Sequence, residues 1–287
     1  MNLRALRTLT AVADLGSFQR VAERQHMTLS SVSMQMKSLE TALGAALFDR
    51  AFRPPRLTPL GREVARTART MLREADRIAA LASAPDRLAG LYRVGFVLTA
   101  SVRLLPKMLL AASKRHPSAR FAIETGQSEA LMARVLDGGL DAAVVTRPGE
   151  PRALLAETRL ATEELVYAIP KAASGHTPEA LLARHTFIQF TPDTGIGRLI
   201  AEHLASTYGG PARTIVLDGI EAVMECVRAG VGFTALPAPD VARYADRDIV
   251  VRSLRDPPLT RDLTFLAHRD SHIRDQLETL AALIVED

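Results

Sequence analysis

Two neighbouring groups of side chains near the start of the chain have the types and spacing needed to bind a polyanion. The first group offers four hydroxyls, one thioether and one ammonium group within ten residues: Thr28, Ser30, Ser31, Ser33, Met34 and Lys37. The second is a loop with three arginines, Arg50, Arg53 and Arg56, stiffened by two prolines. Small hydroxyls let a helix lie deep in a DNA major groove and bond to base edges, and arginines in a rigid loop suit phosphates or the minor groove. The residues alone also allow a merely solvated helix face.

A second set of mostly polar residues suits a small anion. They follow predicted strands, where the helix N-termini of an open sheet converge: Thr99, Ser101, Gln127, Ser128, Thr146, Arg147, Phe190, Thr191 and Thr194. Hydroxyls and free helix N–H groups favour a carboxylate, and Arg147 would add a charge-assisted hydrogen bond. For any one of these residues, a plain helix cap or turn is the alternative.

Other reactive chemistry is weakly represented. His268 and His272 have the spacing of metal ligands on one helix, but a strand end and a cap at Ser271 explain them better. The segment TPDTGIGR at 191–198 lacks the complete dinucleotide or P-loop pattern. No metal, no cofactor and no catalytic residues are therefore expected, and the chain is not expected to be an enzyme. An active site assembled from scattered residues is the alternative.

Composition indicates a two-domain protein with a basic head. The chain has 287 residues, of which 47% are hydrophobic, enough for two cored domains. Residues 1–90 contain 14 Lys and Arg against 8 Asp and Glu, whereas residues 91–287 contain 22 against 24. A single cysteine, Cys226, excludes an intramolecular disulfide. No signal peptide or long apolar run is evident, so a cytoplasmic protein without membrane contact is expected.

Helical periodicity explains how the head positions its polar groups. A first helix has an apolar face at Leu3, Leu6, Leu9, Val12 and Ala13, and it ends at Gly16. Ser17 caps a second helix, which buries Phe18, Val21 and Ala22. Thr28 caps a third helix running to about Leu43, with a buried stripe at Val32, Met36, Leu39 and Leu43. The hydroxyl groups then occupy its opposite face.

The ordered stretch GSFQRVAERQHMTLSSVSMQMKSLETALGAALFDR, followed by RLTPLG, resembles the N-terminal domain of LysR-type transcriptional regulators. The resemblance implies a winged helix-turn-helix over residues 1–58, with a recognition helix at Thr28 to Lys37 and a wing at Arg50 to Arg56. Leu29 lies where the family often has a polar residue that reaches DNA. The implied partner is double-stranded promoter or operator DNA.

A long helix is predicted from Pro59 to about residue 84. Its apolar positions alternate by three and four residues, which is typical of a pairing seam: Gly61, Val64, Ala68, Met71, Ala75, Ile78 and Ala82. Residues 59–89 are therefore predicted to be a linker and dimerisation helix with a hinge, the break falling at Ser83 to Asp86. Packing against its own domain is the alternative. The family resemblance implies a homodimer through this helix and often a homotetramer.

After residue 90, predicted strands and helices alternate, as in a mostly parallel sheet. The segments at 95–145 and 225–237 resemble the LysR-type effector domain, which implies two α/β lobes like those of periplasmic solute-binding proteins. The fold class is thus α+β multidomain, with an effector-binding domain over 90–287. Lobe I is predicted at about 90–161 and 266–287, and lobe II at about 162–265. A small effector between lobes would control DNA binding. A small-molecule-binding protein with a non-functional head is the alternative.

Overall fold

The computed structural model describes residues 2–81, 88–147, 149 and 152–285. They form two compact units: one comprises residues up to 94, 112–122 and 133–141, and the other comprises 95–111, 123–132 and 142 onward. The predicted break at Ser83 to Asp86, and Ala82 of the predicted seam, lie outside the described residues. The predicted domain limits remain predictions.

The head has the predicted winged helix-turn-helix. Helices α1 (Leu3–Leu15), α2 (Phe18–Arg24) and α3 (Leu29–Leu43) are followed by the short antiparallel strands β1 (Phe48–Asp49) and β2 (Arg56–Leu57), and then by α4 (Pro59–Leu81). Their core contains Leu6, Leu9 and Val12 of α1 and Val32, Met36 and Leu39 of α3. The predicted burial of two residues is wrong, since Leu3 is 44% exposed and Leu43 is 39% exposed. Both lie at helix ends, where the apolar face runs past the neighbouring helices.

Glycine permits one close approach within the head. A Cβ on Gly61 would lie 2.1 Å from the carbonyl oxygen of Leu47, which also accepts a hydrogen bond from the backbone N–H of Thr58. The start of α4 therefore packs directly on the backbone beside β1. Gly61 serves this contact rather than the predicted pairing seam.

The effector domain begins with β3 (Gly90–Val97), α5 (Leu98–Arg115), β4 (Ala119–Gly126), α6 (Ser128–Leu136) and β5 (Ala142–Thr146). Next come β6 (Leu155–Pro170), a 3₁₀ turn (Lys171–Ala173), α7 (Pro178–Arg184), β7 (Thr186–Phe190), α8 (Gly195–Tyr208), β8 (Thr214–Leu217) and α9 (Ile220–Arg228). The chain ends with β9 (Gly232–Pro237), α10 (Ala238–Val241), β10 (Ile249–Ser253), β11 (Thr260–His268) and α11 (Arg274–Val285). The strand β10 and the helices α7 and α10 were not predicted.

The strands follow the order β4-β3-β5-β11-β6-β9-β7-β8, with β10 also paired to β6. Parallel pairing, as predicted, joins β7 to β8 and to β9. Antiparallel pairing joins β11 to β5 and β6, and joins β6 to β9 and β10. The prediction of a mostly parallel sheet is therefore wrong around β6 and β11.

Strand β6 changes partner along its length. Its residues 155–164 pair with β11, whereas 165–170 pair with β9 and β10. In the second half, Leu165, Tyr167 and Ile169 enter one apolar core, while Val166 and Ala168 enter another. The continuous apolar run LVYAI reflects this burial on both faces. The first half of the strand thus pairs with β11, and its second half lies between two apolar cores.

Candidate nucleic-acid interface and ligand cavity

The N-terminus of α3 is organised by its own hydroxyls. The Thr28 Oγ1 atom accepts a hydrogen bond from the backbone N–H of Ser31, at 3.1 Å. The same atom lies 2.9 Å from Ser30 Oγ and 2.7 Å from Ser31 Oγ. These three residues form the helix cap, and a cap leaves the remaining free N–H groups available to an anion such as a phosphate.

Beyond this cap, α3 presents the face predicted to meet DNA. Ser30, Ser33, Met34 and Lys37 are exposed, whereas Ser31 is only partly exposed. With 100° of rotation per residue, Ser33 and Lys37 form a polar row. Leu29 lies on one side of that row and Met34 on the other, and both are largely exposed.

The wing arginines have different environments. Arg50 pairs with Glu40 at 2.8 Å, and Glu40 also accepts the backbone N–H groups of Leu47 and Phe48. The guanidinium carbon of Arg56 lies 4.6 Å from the centre of the Phe52 ring, a cation–π contact. Arg50 therefore needs to be shared with, or released from, Glu40 before it can contact a phosphate.

A groove of about 600 Å³ separates α3 from the wing. We call it the recognition groove. Its lining comprises Ser17, Phe18, Gln19, Leu29, Ser33, Met34, Lys37, Phe48, Arg50, Phe52, Arg53, Pro54 and Pro55. The cations come from both sides, and these described lining residues include no carboxylate. The charge of the groove is therefore complementary to a polyanion.

Helix α4 uses part of its predicted seam within the head. Ala65, Ala68 and Leu72 are buried in the head core together with α1 residues, so Ala68 is not available for pairing. Another row remains outward: Leu60, Met71 and Ile78 are 47%, 41% and 68% exposed. One face of α4 therefore packs on its own domain, as the alternative proposed, while the row Leu60, Met71 and Ile78 stays exposed.

The end of α6 is capped by arginines from α4. Arg69 donates to the carbonyl of Asp137 at 2.8 Å, and Arg73 donates to the carbonyl of Gly138 at 2.9 Å. Asp14 of α1 accepts from Arg69 at 2.7 Å and from Arg134 of α6 at 2.9 Å. Cations stabilise the unpaired carbonyls at a helix C-terminus. We call these contacts the α6 cap.

A cavity of about 270 Å³ collects most of the predicted effector residues. Helices α5, α6 and α8 begin at its wall. The cavity is lined by Val97, Leu98, Thr99, Thr125, Gly126, Gln127, Ser128, Thr146, Phe190, Thr191, Thr194, Gly195, Ile196, Asp218 and Arg261. It thus combines three helix N-termini with apolar walls, an arrangement that suits a small anion with an apolar body.

Ser128 is the clearest polar group without a partner. The residue is 6% exposed, and its Oγ atom has no hydrogen-bond partner within the described part of the chain. A buried hydroxyl without a partner costs free energy. Thr194, by contrast, already caps α8: its Oγ1 accepts from the N–H of Gly197 at 3.0 Å and donates to the carbonyl of Thr191 at 2.8 Å.

Two predicted effector residues do not line this cavity. The Ser101 hydroxyl donates to the carbonyl of Leu98 at 2.8 Å, so it acts as a local helix bond. Arg147 pairs with Glu157 at 3.2 Å. It lines an adjoining polar cleft with Arg152 and Arg198, and this cleft shares Ser128, Thr146, Gly195 and Arg261 with the cavity. Arg147 lies at the end of β5, where backbone alternation directs it away from the preceding cavity residue, Thr146.

Sequence reasoning missed a buried ionic cluster beside the cavity, formed by Arg261, Glu163, Asp240 and Arg103. Arg261 donates to Glu163 Oε2 from Nε and Nη2 at 2.9 and 2.8 Å, and to Thr99 Oγ1 at 2.7 Å. Arg103 bonds both carboxylates, at 2.5 Å to Glu163 and 3.3 Å to Asp240. The two arginines and the two carboxylates together carry no net charge. Arg261 reaches the cavity wall with its charge already paired.

Burial of the cluster shifts the pKa values of two of its members, Asp240 and Arg261. Desolvation raises the pKa of Asp240 to about 6, although Arg261 and Arg103 oppose the shift. Desolvation also lowers the pKa of Arg261, against the effect of Glu163 and Asp240. Arginine stays charged at neutral pH, so the carboxylates are required to hold Arg261 in place.

Across the described ranges, no three His, Cys, Asp or Glu residues come together as a metal site. The Nδ1 atom of His268 accepts a hydrogen bond from the backbone N–H of Asp270 at 3.2 Å, as expected for a turn residue. In the same ranges, no helix has the length and apolarity needed to cross a bilayer.

Two family models match the chain. The "LysR substrate binding domain" matches residues 85–287, and the "Bacterial regulatory helix-turn-helix protein, lysR family" matches residues 3–62. The transcriptional regulator CfxR of Cupriavidus necator is 32% identical over 243 residues, which cover 82% of this chain and 75% of that protein.

Solved structures show the same fold at low sequence identity. A full-length OxyR variant of Pseudomonas aeruginosa has a TM-score of 0.73 and 24% identity, and the match covers 99% of this chain and 94% of that one. Full-length CbnR complexed with its target DNA has a TM-score of 0.61 and 22% identity, with 98% and 99% covered.

Proposed function

Because the chain belongs to the LysR family of transcriptional regulators, we propose how its DNA-binding head and effector domain do their work. Two heads, paired through α4, bind a two-fold DNA site, and a small carboxylate in the cavity controls that binding. The observation that carries the proposal is the exposed polar row of α3 beside a basic wing. Regulation of transcription requires no catalysis, so we propose no enzymatic activity.

For DNA, the proposed contacts divide into two kinds. Thr28, Ser30 and Ser31 at the start of α3 bind phosphate, together with the wing arginines, and these contacts carry no sequence information. Ser33 and Lys37 reach base edges from the polar row. Because the proposed partner is DNA, we propose that the protein acts in the cytoplasm.

The DNA experiment combines genomic recovery with binding to the recovered fragments. Fragments bound by the full-length protein are sequenced, and a preferred duplex is then measured by fluorescence anisotropy at several salt concentrations. Lys37→Ala should change which sequence is preferred, whereas Arg274→Ala, at an exposed position of α11 outside the head, should change nothing. Failure of the full-length protein to retain any fragment in dilute buffer would favour the alternative of a small-molecule-binding protein with a non-functional head.

For the effector, two features support a small carboxylate, and a third indicates a further group on the ligand. The cavity volume suits a metabolite rather than a polymer, since ligand cavities for drug-sized molecules begin at about 300 Å³. The helix N-termini and the unpaired Ser128 hydroxyl supply donors. Asp218 in the same lining supplies an acceptor, so the complementary ligand also carries a hydrogen-bond donor.

A thermal-shift screen of small carboxylic acids tests this assignment. A binder should raise the unfolding temperature of the wild type, and Ser128→Ala should weaken its binding. Ser101→Ala is the matched control, because that hydroxyl is bonded to Leu98 and does not line the cavity. Equal weakening by both substitutions would contradict the role of Ser128.

Pairing through α4 is proposed from its outward apolar row. Leu60, Val64, Thr67, Met71 and Ile78 fall on one face with heptad spacing, and three of them are largely exposed. We expect Met71→Glu to dissociate the dimer in sedimentation experiments, with Leu110→Glu, on α5, as a control for exposed apolar residues elsewhere. A homotetramer is proposed as the assembled state, measured by the same sedimentation of the wild type.

The α6 cap supports a route for regulation. Ser128, the first residue of α6, lines the cavity, while the carbonyls that follow the last turn of α6 accept hydrogen bonds from Arg69 and Arg73 of α4. A ligand that shifts the effector domain between two arrangements changes this cap and hence the spacing of paired heads. Such a ligand must bind the two arrangements with different affinity.

A further inference from the structure

The surface proposed to face DNA carries large apolar side chains. Leu29 is 50% exposed, Met34 is 69% exposed and Phe52 of the wing is 44% exposed. All three line the recognition groove. Single exposed apolar residues are ordinary on protein surfaces. Here, however, they lie within a groove whose cations make it complementary to DNA.

Leu29 and Met34 have defined places on α3. They flank the polar row of Ser33 and Lys37, one on each side, so a helix that brings this row to base edges also brings both apolar side chains into the major groove. Neither side chain belongs to the head core formed by the described residues. The two side chains are therefore not needed to hold α3 in the fold.

Duplex DNA offers one apolar group in the major groove, the C5-methyl of thymine. Other base edges present donors and acceptors, and covering these with Leu or Met would leave them without partners. Contact with a methyl instead removes apolar surface from water on both molecules. The chemistry of the two side chains therefore matches thymine better than any other base.

We infer that Leu29 and Met34 read thymine methyl groups and set the base preference at the positions they cover. This inference rests on the proposed recognition of DNA by α3. The cations of the groove hold the duplex regardless of sequence, and the two apolar side chains discriminate among bases. Each lost methyl contact should weaken binding by about fourfold, the value for one buried CH₂-sized group.

The test removes the methyl without changing the base pairing. A preferred duplex is selected from a randomised pool with the full-length wild-type protein, and each thymine is then replaced singly by uracil. Affinities are measured at one fixed salt concentration for the wild type, Met34→Ala and Leu29→Asn. Leu43→Ala is the matched control, because Leu43 is an exposed apolar residue of the same helix that lies outside the groove. Thermal unfolding checks that each variant remains folded.

The expected result is a penalty of about fourfold at one or more thymines for the wild type and for Leu43→Ala. At a thymine contacted by Met34, the penalty should disappear in Met34→Ala. At a thymine contacted by Leu29, it should disappear in Leu29→Asn. Uracil without effect at every position would overturn the inference, while the selected sequence would still uphold DNA recognition by α3. Penalties that persist unchanged in both variants would also overturn it. If no sequence is selected, both the inference and the proposed recognition fail.

Discussion

Removing the carboxylate of Glu163 is expected to destabilise the effector domain strongly. Glu163 accepts two hydrogen bonds from Arg261, whose side chain is fully buried. After Glu163→Ala, Asp240 remains as a carboxylate partner for Arg261, at 3.5 Å. Breaking a buried ion pair from one side costs about 3–5 kcal/mol. Glu163→Gln keeps an acceptor oxygen and should cost less, about 1.5–3 kcal/mol, the contribution of one hydrogen bond to a charged group.

The chain provides a selective probe for this measurement. It contains no tryptophan, and its four tyrosines lie at positions 92, 167, 208 and 244. Three of them, Tyr167, Tyr208 and Tyr244, lie in the same compact unit as Glu163, so tyrosine fluorescence during urea denaturation reports mainly on that unit. Glu278→Ala is the control, because Glu278 forms an exposed pair with Arg274, and such pairs contribute less than about 1 kcal/mol.

Two outcomes would refute the reasoning. The first is a urea midpoint for Glu163→Ala equal to that of Glu278→Ala. The second concerns the double variant Glu163→Met with Arg261→Met, which removes the unpaired charge together with its partner. It should be more stable than Glu163→Ala alone, since apolar replacement of a buried ion pair is often neutral or stabilising. A less stable double variant would show that the unpaired charge is not the cause.

Three further predictions use the same protein. In the folded protein the pKa of Asp240 is raised from 3.8 to about 6, so the folded state binds a proton more firmly than the unfolded state. The free energy of unfolding should therefore fall by up to about 3 kcal/mol as pH rises from about 4 to 7. Asp240→Asn should remove that part of the pH dependence in urea unfolding. Gly61→Ala would force α4 away from the backbone of Leu47, so it should weaken DNA binding, measured by anisotropy, and destabilise the head by about 1–3 kcal/mol or more, measured by circular dichroism. Gly175→Ala is the control, because its added Cβ would have nothing within 4 Å, and it should change neither measurement. Arg53→Ala should weaken binding to all duplexes alike and reduce the slope of log affinity against log salt by about 0.9 per head; an unchanged slope would remove Arg53 from the phosphate contacts.

The head could be predicted from sequence because its signals are local. Caps at Ser17 and Thr28 and apolar residues at helical spacing locate α1 to α3 within a few residues. Exposure at the helix ends could not be predicted in the same way. Leu43 continues the buried stripe by spacing, yet it is 39% exposed, because burial depends on where a neighbouring helix stops. The predicted seam of α4 had the same weakness, since spacing does not say which face meets α1.

The cavity could be predicted only where its residues follow the ends of strands. Thr99, Gln127, Ser128 and Thr194 were placed in this way. Arg261 was missed because it lies within β11, and its partner Glu163 is 98 residues away along the chain. A charged residue in a strand usually indicates an exposed position, and only the folded chain brings in the carboxylates that permit burial. The first half of β6 was missed for a related reason, as its polar residues conceal the strand pattern.

Helix α6 contributes its first residue to the ligand cavity, and the carbonyls at its other end are held by arginines of the linker helix. Thermodynamic linkage is reciprocal: if a ligand alters the affinity of the protein for an operator by some factor, the operator alters the affinity for that ligand by the same factor. A promoter is then more than the target of this protein. Under that linkage it would act as an effector in its own right, so that DNA-bound and free molecules would respond to different concentrations of the same ligand.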